Sequence, residues 1–470
     1  MGTERRLAMV ALLAATAGCS MAPAYRPPEL AVPAAYRESQ TPPDGWAVAE
    51  PDDDSARGAW WRMFGDPVLD SLEARIETAS PTLAAALARY DAASAAARAA
   101  GANLWPDLSV GAAIERAHVA AARPLAGSGA TYTNRIASGA FAYEVDLWGR
   151  VRDSVRAAGA DAEASGADLA AARLSLQAEL ADTYFRLRGL DAQVRLLAQT
   201  VDAYARARAL TVARHGGGIA SGLDVGRADT LLASARAELS AVAGQRAAAE
   251  HRIAALVGAV ASDFTVPPGA LPADPPRVPA AAPSALLQRR PDIAAAERRI
   301  FAANARIGVA RAALFPSLTL GAESGFNAAR GDLFSTPAHF WALGPAQAVL
   351  SLFDGGRRQA NIRISRAQYD EAAARYREAV LAAFREVEDG FAAERTLAQQ
   401  AAERRAAAEA ARRTEALALV RYRDGASDYL EVVTAQAAAL DAERSALAVG
   451  TARMQAAVAL VRALGGGVGD

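Results

Sequence analysis

Two hydrophobic patterns alternate along this chain. From Leu108 every second position is apolar (Leu108, Val110, Ala112, Ile114), and the positions between are small or polar (Ser109, Gly111, Ala113, Glu115). The same alternation returns after Pro316, with Leu318, Leu320 and Ala322 against Thr319, Gly321 and Glu323. A further stretch sets Phe141, Tyr143, Val145 and Leu147 against Asn134, Ser138, Glu144 and Asp146. A period of two is the signature of a strand with one apolar face. It predicts strands over about 106–117, 133–147 and 316–327. A fourth, over about 340–353, alternates poorly and contains Pro345. Runs of about ten residues with one apolar face fit the staves of a membrane β-barrel, although a soluble two-faced sheet is the usual reading of any one of them. Aromatics cluster where these segments approach helix: Trp105, Phe141, Tyr143 and Trp148 in the first half, and Phe315, Phe340, Trp341 and Phe353 in the second.

The other pattern is helical. Leu176, Leu180, Tyr184, Leu187, Leu190 and Val194 recur at spacings of three and four, and Leu197, Val201 and Tyr204 continue the series. This is a coiled-coil seam, and as such a packing stripe rather than a functional one. Proline-free runs from about Val151 to Arg214 and from Arg358 to Tyr422 predict two helices on the order of 95 Å long, which have no place in a compact globule.

The patterns are duplicated. Pro81 and Pro291 lie 210 residues apart, as do Trp105-Pro106 and Phe315-Pro316. Farther on, Arg214 with Leu223-Asp224-Val225 and Arg421 with Leu430-Glu431-Val432 lie 207 apart. The chain therefore reads as α+β, mostly α, built from a repeated helix–strand–strand–long helix–helix unit. The predicted organisation is a signal at 1–18, an extended proline-rich arm at 19–60, a first repeat at 61–264, a linker at 265–290 and a second repeat at 291–470.

The first twenty residues carry an address. Arg5 and Arg6 precede an apolar stretch and then Thr16-Ala17-Gly18-Cys19, as in a secretory signal. Cys19, the only cysteine, stands at the expected cut and resembles the lipid-bearing residue of a bacterial lipoprotein; Thr16 departs from the leucine usual there. The alternative is a plain signal with an incidental cysteine. Ser20 follows in place of the aspartate that would, by resemblance, retain the protein at the inner membrane, so outer-membrane lipid is the expected environment.

Composition then excludes more than it suggests. The 51 basic residues are all arginine and nearly balance 52 acids, so no polybasic surface for nucleic acid is implied. Without lysine there is no Schiff-base chemistry and no Walker-type phosphate loop. Four scattered histidines and one cysteine offer no metal-ligand spacing, and no cofactor is expected beyond a covalent lipid on Cys19. No internal apolar run approaches the length of a membrane helix, about 18 residues. His215-Gly216-Gly217-Gly218 is like an esterase oxyanion loop but lacks a GxSxG nucleophile, and Arg330-Gly331-Asp332 is a common tripeptide. An enzyme is not expected.

Four strands cannot close a barrel, and open edges are not tolerated in lipid. Sharing between two, three or four copies would give eight, twelve or sixteen staves.

Four ordered motifs carry a resemblance: Trp60-Trp61-Arg62-Met63-Phe64-Gly65-Asp66-Pro67, Tyr143-Glu144-Val145-Asp146-Leu147-Trp148-Gly149-Arg150, Leu352-Phe353-Asp354-Gly355-Gly356-Arg357 and Arg421-Tyr422-Arg423-Asp424-Gly425. With the duplication they resemble the TolC-like outer-membrane efflux proteins, and within them the OprM/NodT lipoprotein type. The resemblance implies a homotrimer with a twelve-stranded barrel in the outer membrane, continued by a periplasmic α-helical barrel. It implies a passive exit duct of a tripartite pump, partnered by a periplasmic adaptor and an inner-membrane transporter, most often of the resistance-nodulation-division type. It further implies periplasmic tips at the two helix-to-helix turns, around Gly217 and Gly218 and around Gly425.

Near the second turn, relatives narrow the aperture with a leucine at the position of Leu430. The polar residues that often follow it are replaced here by Thr434 and Ala437. Asp424, Asp428 and Glu431 are a candidate negative collar or, equally, a solvated helix start; Tyr422 is a candidate for the tip or for coiled-coil filling. A periplasmic adaptor or a coiled-coil envelope scaffold are the alternatives from other classes. A single hairpin between β-domains would mark the adaptor, whereas here the hairpin and the strands repeat.

Overall fold

The computed structural model describes residues 20–28, 33, 35–38, 58–120, 130–278, 289–329 and 331–466. The signal, Cys19, Arg330 and most of the proline-rich arm lie outside the described residues. In chain order the elements are α1 (Pro67–Ala79), α2 (Pro81–Ala102), β1 (Asp107–Val119), β2 (Ala130–Val145), α3 (Arg150–Gly216) and α4 (Gly222–Leu256). The second half repeats them as α5 (Pro291–Ala312), β3 (Ser317–Ala328), β4 (His339–Val349), α6 (Arg357–Arg423) and α7 (Tyr429–Ala463). The chain forms two compact units, one built from residues 1–29, 89–166 and 295–377 and the other from 30–88, 167–294 and 378–470.

The first unit holds a single antiparallel sheet in the order β1-β2-β3-β4. Its register aligns the apolar positions of all four strands. Leu108 lies opposite Phe141, Phe141 opposite Ala322 and Ala322 opposite Leu343, while Tyr143 faces Leu320, and Leu320 faces Ala346. Opposed residues share a face, so one side of the sheet is apolar from strand to strand. Within the unit that side is uncovered: Leu108 is 78%, Val110 93% and Ile114 77% exposed. The other side carries Asp107, Ser109, Ser138, Glu144, Thr319 and Gln347.

The fourth strand departs from expectation. It ends at Val349 rather than near Phe353, and its pairing slips between Leu320 and Ala322, beside Pro345. Proline has no N–H for the ladder, so pairing there breaks and resumes one residue out of step. The expected aromatic cluster is also split. Trp148 stacks on Phe315 at 4.7 Å and donates its indole N–H to the Pro316 carbonyl at 2.8 Å, at the helix end of the sheet. Phe340 and Trp341 instead open β4, opposite Gly325 and Ser324, toward the loop end.

In the same unit the start of the arm lies along α5. The Ser20 hydroxyl donates to the carboxylate of Asp153, which has no exposed surface, at 2.8 Å, and the Asn304 amide donates to the Pro23 carbonyl at 2.9 Å. Tyr25 donates its hydroxyl to Glu297 and meets Phe301 edge-on at 5.1 Å. Residues 297, 301, 304 and 308 form one helical stripe. At Gly308 a Cβ would overlap the Asp153 carboxylate and sit 2.8 Å from the Ala22 nitrogen, so the joint approach of α3 and the arm requires glycine there.

In the second unit the seam of α3 is the core: Leu180, Tyr184, Phe185, Leu187 and Leu197 have no exposed surface. A polar network runs through it. The Tyr184 hydroxyl donates to Asp66 at 2.5 Å, Arg188 donates to Tyr184, Asp191 and the Pro267 carbonyl, and Arg246 reaches Asp191 at 2.7 Å. The linker is thereby bonded to α3 and α4. Tyr36 of the arm packs against Phe391 at 5.7 Å, and the backbone N–H groups of Arg37 and Glu38 donate to Glu388.

Two expectations follow. Gly308→Val removes the seat of the arm at a cost of about 1–3 kcal/mol. Limited proteolysis should then cleave within residues 20–28 much faster than in the unaltered protein, and equal protection would show that the arm is held elsewhere. Glu73 on α1 has no exposed surface, and neither carboxylate oxygen has a partner among the described residues. Burial, reinforced by Glu77 and Asp70, raises its pKa from 4.5 to about 9. The folded state thus keeps a proton that the unfolded chain releases, so stability is greatest below about pH 4.5 and falls as pH rises toward about 9. Glu73→Gln should raise stability at pH 8 by on the order of 2–4 kcal/mol and leave it nearly unchanged at pH 4. Thermal melts at the two pH values check this, and an equal effect at both would refute it.

Candidate functional site

The two helix-to-helix turns, α3–α4 and α6–α7, both belong to the second unit and are built alike. Gly218 and Gly425 occupy the left-handed region at φ of 79° and 80°. Behind them the Ile219 N–H donates to the Arg214 carbonyl at 2.9 Å, and the Ala426 N–H to the Arg421 carbonyl at 2.8 Å. Each long helix therefore ends in a glycine-dependent Schellman turn. Gly217 precedes the first such glycine and still bonds back to Ala213 at 3.1 Å.

The return helices begin with matching caps. The Ser221 hydroxyl accepts from the Asp224 N–H at 3.2 Å, and Asp224 in turn accepts from the Ser221 N–H. Asp428 accepts from the Glu431 N–H at 3.1 Å. Two residues after each cap stands an exposed leucine, Leu223 at 63% and Leu430 at 45%. The caps fix the first turn of each helix, and with it where these leucines point. Beside Leu223 a shallow cavity of about 360 Å³ is lined by Gly226, Thr230, Leu231 and Val433.

The two turns differ in their arginines. Arg214 places its guanidinium 4.5 Å from the centre of the Tyr422 ring and donates to the Tyr422 carbonyl. Arg421, its counterpart in the second half, instead lies 3.6 Å from Glu431. Tyr422 is 5% exposed, tilted against Tyr429 at 5.2 Å and packed with Ala228 and Val432. It is thus a packing residue that joins the two hairpins and offers almost no surface to an aperture. Burial raises the pKa of the Tyr429 phenol. Farther along, the Tyr204 hydroxyl donates to the Gln436 carbonyl at 3.1 Å, and Arg444 pairs with Glu238 at 2.6 Å.

The acidic candidates are exposed but partly engaged. Asp428 is the cap of α7, Glu431 faces Arg421, and Asp424 lies between the exposed Arg423 and Gly425. Thr434 is exposed and turns its hydroxyl back to the Leu430 carbonyl at 2.9 Å; Ala437 is exposed as well. Among the described residues no group of His, Cys, Asp and Glu is placed to hold a metal, and no helix is long and apolar enough to cross a membrane. Thr211, whose hydroxyl accepts from the Tyr422 hydroxyl at 3.4 Å, was not singled out from the sequence, where Arg214 stood only as a landmark of the repeat and Tyr204 only as a position of the seam. The repeat makes Arg214 and Arg421 equivalent, and only the fold gives them different partners.

Comparison with known proteins places this geometry. A family model described as "Outer membrane efflux protein" matches residues 74–259 and 282–466, one match to each half. The pyoverdine export outer membrane protein OpmQ of Pseudomonas aeruginosa is 34% identical, over 98% of this chain and 97% of its own length. The probable efflux pump outer membrane protein TtgC of Pseudomonas putida is 33% identical, over 96% and 93%. A solved structure of the outer-membrane channel OprN superimposes with a TM-score of 0.87 at 32% identity, covering 96% of this chain and 99% of that one.

The arginine that ties the hairpins gives a measurable expectation. Arg214→Gln removes a cation–π contact and a hydrogen bond to a carbonyl, together about 1–3 kcal/mol. Amide hydrogen exchange should quicken about tenfold or more in residues 422–429 while the seam of α3 stays protected. Unchanged exchange would show that Arg214 does not hold the turn.

Proposed function

The chain belongs to the outer membrane efflux protein family and is an outer-membrane efflux channel, and from that premise we propose that three copies build one duct. Each copy would contribute four strands to a twelve-stranded membrane barrel and its long helices to a periplasmic α-helical barrel. The observation that carries this is the sheet: one face is apolar and uncovered, and among the described residues β1 and β4 each have only one neighbour. A sheet with open edges is not tolerated in lipid, and further copies of the same sheet satisfy both edges.

The duct conducts passively and catalyses nothing. Its polar face, with Asp107, Glu115, Glu144 and Glu323, lines the lumen and favours cationic solutes in a salt-dependent way. The turns form the periplasmic aperture. There Leu430 makes an apolar ring, Asp424, Asp428 and Glu431 surround it, and Gly217, Gly218 and Gly425 shape the tips. An adaptor docks at the tips, the groove beside Leu223 being suited to an apolar side chain, and an inner-membrane pump of the resistance-nodulation-division type supplies the solute. The lipid on Cys19 adds a second attachment to the outer membrane.

Native mass measurement on protein extracted from outer membranes in mild detergent tests the assembly: three chains per particle are expected, and a monomer would overturn the shared barrel. In planar bilayers Leu430→Ala should raise the resting current several-fold, and an unchanged current would remove Leu430 from the aperture.

A further inference from the structure

The charges on the sheet are sorted by face. The polar face carries four acids, Asp107, Glu115, Glu144 and Glu323, and no arginine. The apolar face carries no acid, but it carries Arg116 and Arg135. Arg135 lies opposite Ile114 on one side and Ala328 on the other, and Arg116 lies opposite Thr133 in the next row. His118 faces Thr131 one row farther, and His339 faces Phe326 one row back. Both arginines are exposed, and neither has an ion-pair partner among the described residues.

Their height on the sheet is informative. From the row of Val145 and Leu318 to the row of Arg135 is ten residues along β2. At about 3.3 Å per residue and a strand tilt of about 40°, that is about 25 Å, the height of the lipid-facing band of a membrane barrel. The arginines thus stand at the loop end of the band, where long cationic side chains reach the headgroup layer while their stems stay on apolar surface. Trp341 and Phe326, on the same face nearby, supply the aromatic girdle of that interface.

We propose that Arg116 and Arg135 form a docking site, on the lipid-facing side of the barrel, for the phosphate groups of an anionic glycolipid of the outer leaflet. Charge complementarity selects this occupant. An acid-free surface with two unpaired guanidiniums attracts doubly charged phosphate and binds it bidentately, whereas a zwitterionic headgroup gains little there. The inference rests on the reading of the sheet as part of a closed membrane barrel.

The test is native mass spectrometry of the full-length oligomer in detergent, titrated with bisphosphorylated lipid A, with the same lipid stripped of phosphate, with phosphatidylcholine and with inorganic phosphate. Retention of bisphosphorylated lipid A is expected to exceed that of the other two lipids, to weaken with salt and to fall about tenfold or more in R116Q/R135Q. R116K/R135K, which keeps the charge but loses the bidentate fork, should fall between the unaltered protein and the glutamine variant, and it guards against a variant that merely fails to assemble. Equal retention of dephosphorylated lipid, undiminished retention in the glutamine variant, or displacement by millimolar inorganic phosphate would overturn the site. A monomeric particle in the unaltered protein would instead overturn the barrel reading beneath it.

Discussion

A four-stranded sheet with two open edges and one apolar face cannot be finished by its own chain, and most of this molecule follows from that constraint. Closing the sheet within one chain would take more strands than the two repeats supply. The duplication doubles the strands from two to four and joins them into one meander by pairing β2 with β3, a contact between the halves. The remaining edges belong to β1 and β4, one from each half, so in the proposed assembly identical copies would meet first repeat to second. A cyclic arrangement then satisfies every edge with one kind of interface.

The same duplication explains why the tips are alike and yet unequal. Equivalent glycines, caps and leucines recur because each turn solves the same local problem: ending a 67-residue helix and starting a 35-residue one. What differs is the residue facing the other hairpin. Tyr422 is buried against Tyr429 and Val432, whereas His215, its counterpart in the first half, is exposed and bonds to the Ala220 carbonyl; Arg214 crosses to Tyr422. The two hairpins of one chain are therefore fastened at the turn by an asymmetric contact, while both leucines stay at the surface.

Much of this was legible in the chain itself, for identifiable reasons. Period-two alternation assigned Leu108 to Ile114 to one face because register cannot shift by one residue without turning every side chain over. Helix limits were legible from the proline-free runs and from the glycines after Arg214 and Arg421. Residues whose role depends on distant segments were not legible. Nothing local marks Glu73 as a buried acid, since its neighbours on α1 read as an ordinary amphipathic helix. The seats of Ser20 on Asp153 of α3 and of Tyr25 on Glu297 of α5 join residues more than 100 positions apart. The expected cluster of aromatics at the helix end is split for a simpler reason: β4 runs from the loop end toward the next helix, so Phe340 and Trp341, near its start, lie far from that end.

The sorting of charge between the faces bears on how such a sheet reaches the membrane at all. On the proposed barrel, acids on the apolar face would have to be desolvated in hydrocarbon, and that face carries none; its two arginines stand at one end, where their length would carry the charge back to water. The acids on the other face need never leave solvent if the lumen stays wet. In that barrel β1, β2 and β3 would each be committed to one orientation, because turning any of them over would bury carboxylates in lipid and expose apolar side chains to water. Burial energy alone would tolerate a flat, symmetric apolar band. The one-sided placement of the arginines also distinguishes the two ends of the sheet, so on the proposed barrel both face and direction are marked in the pattern of the strands.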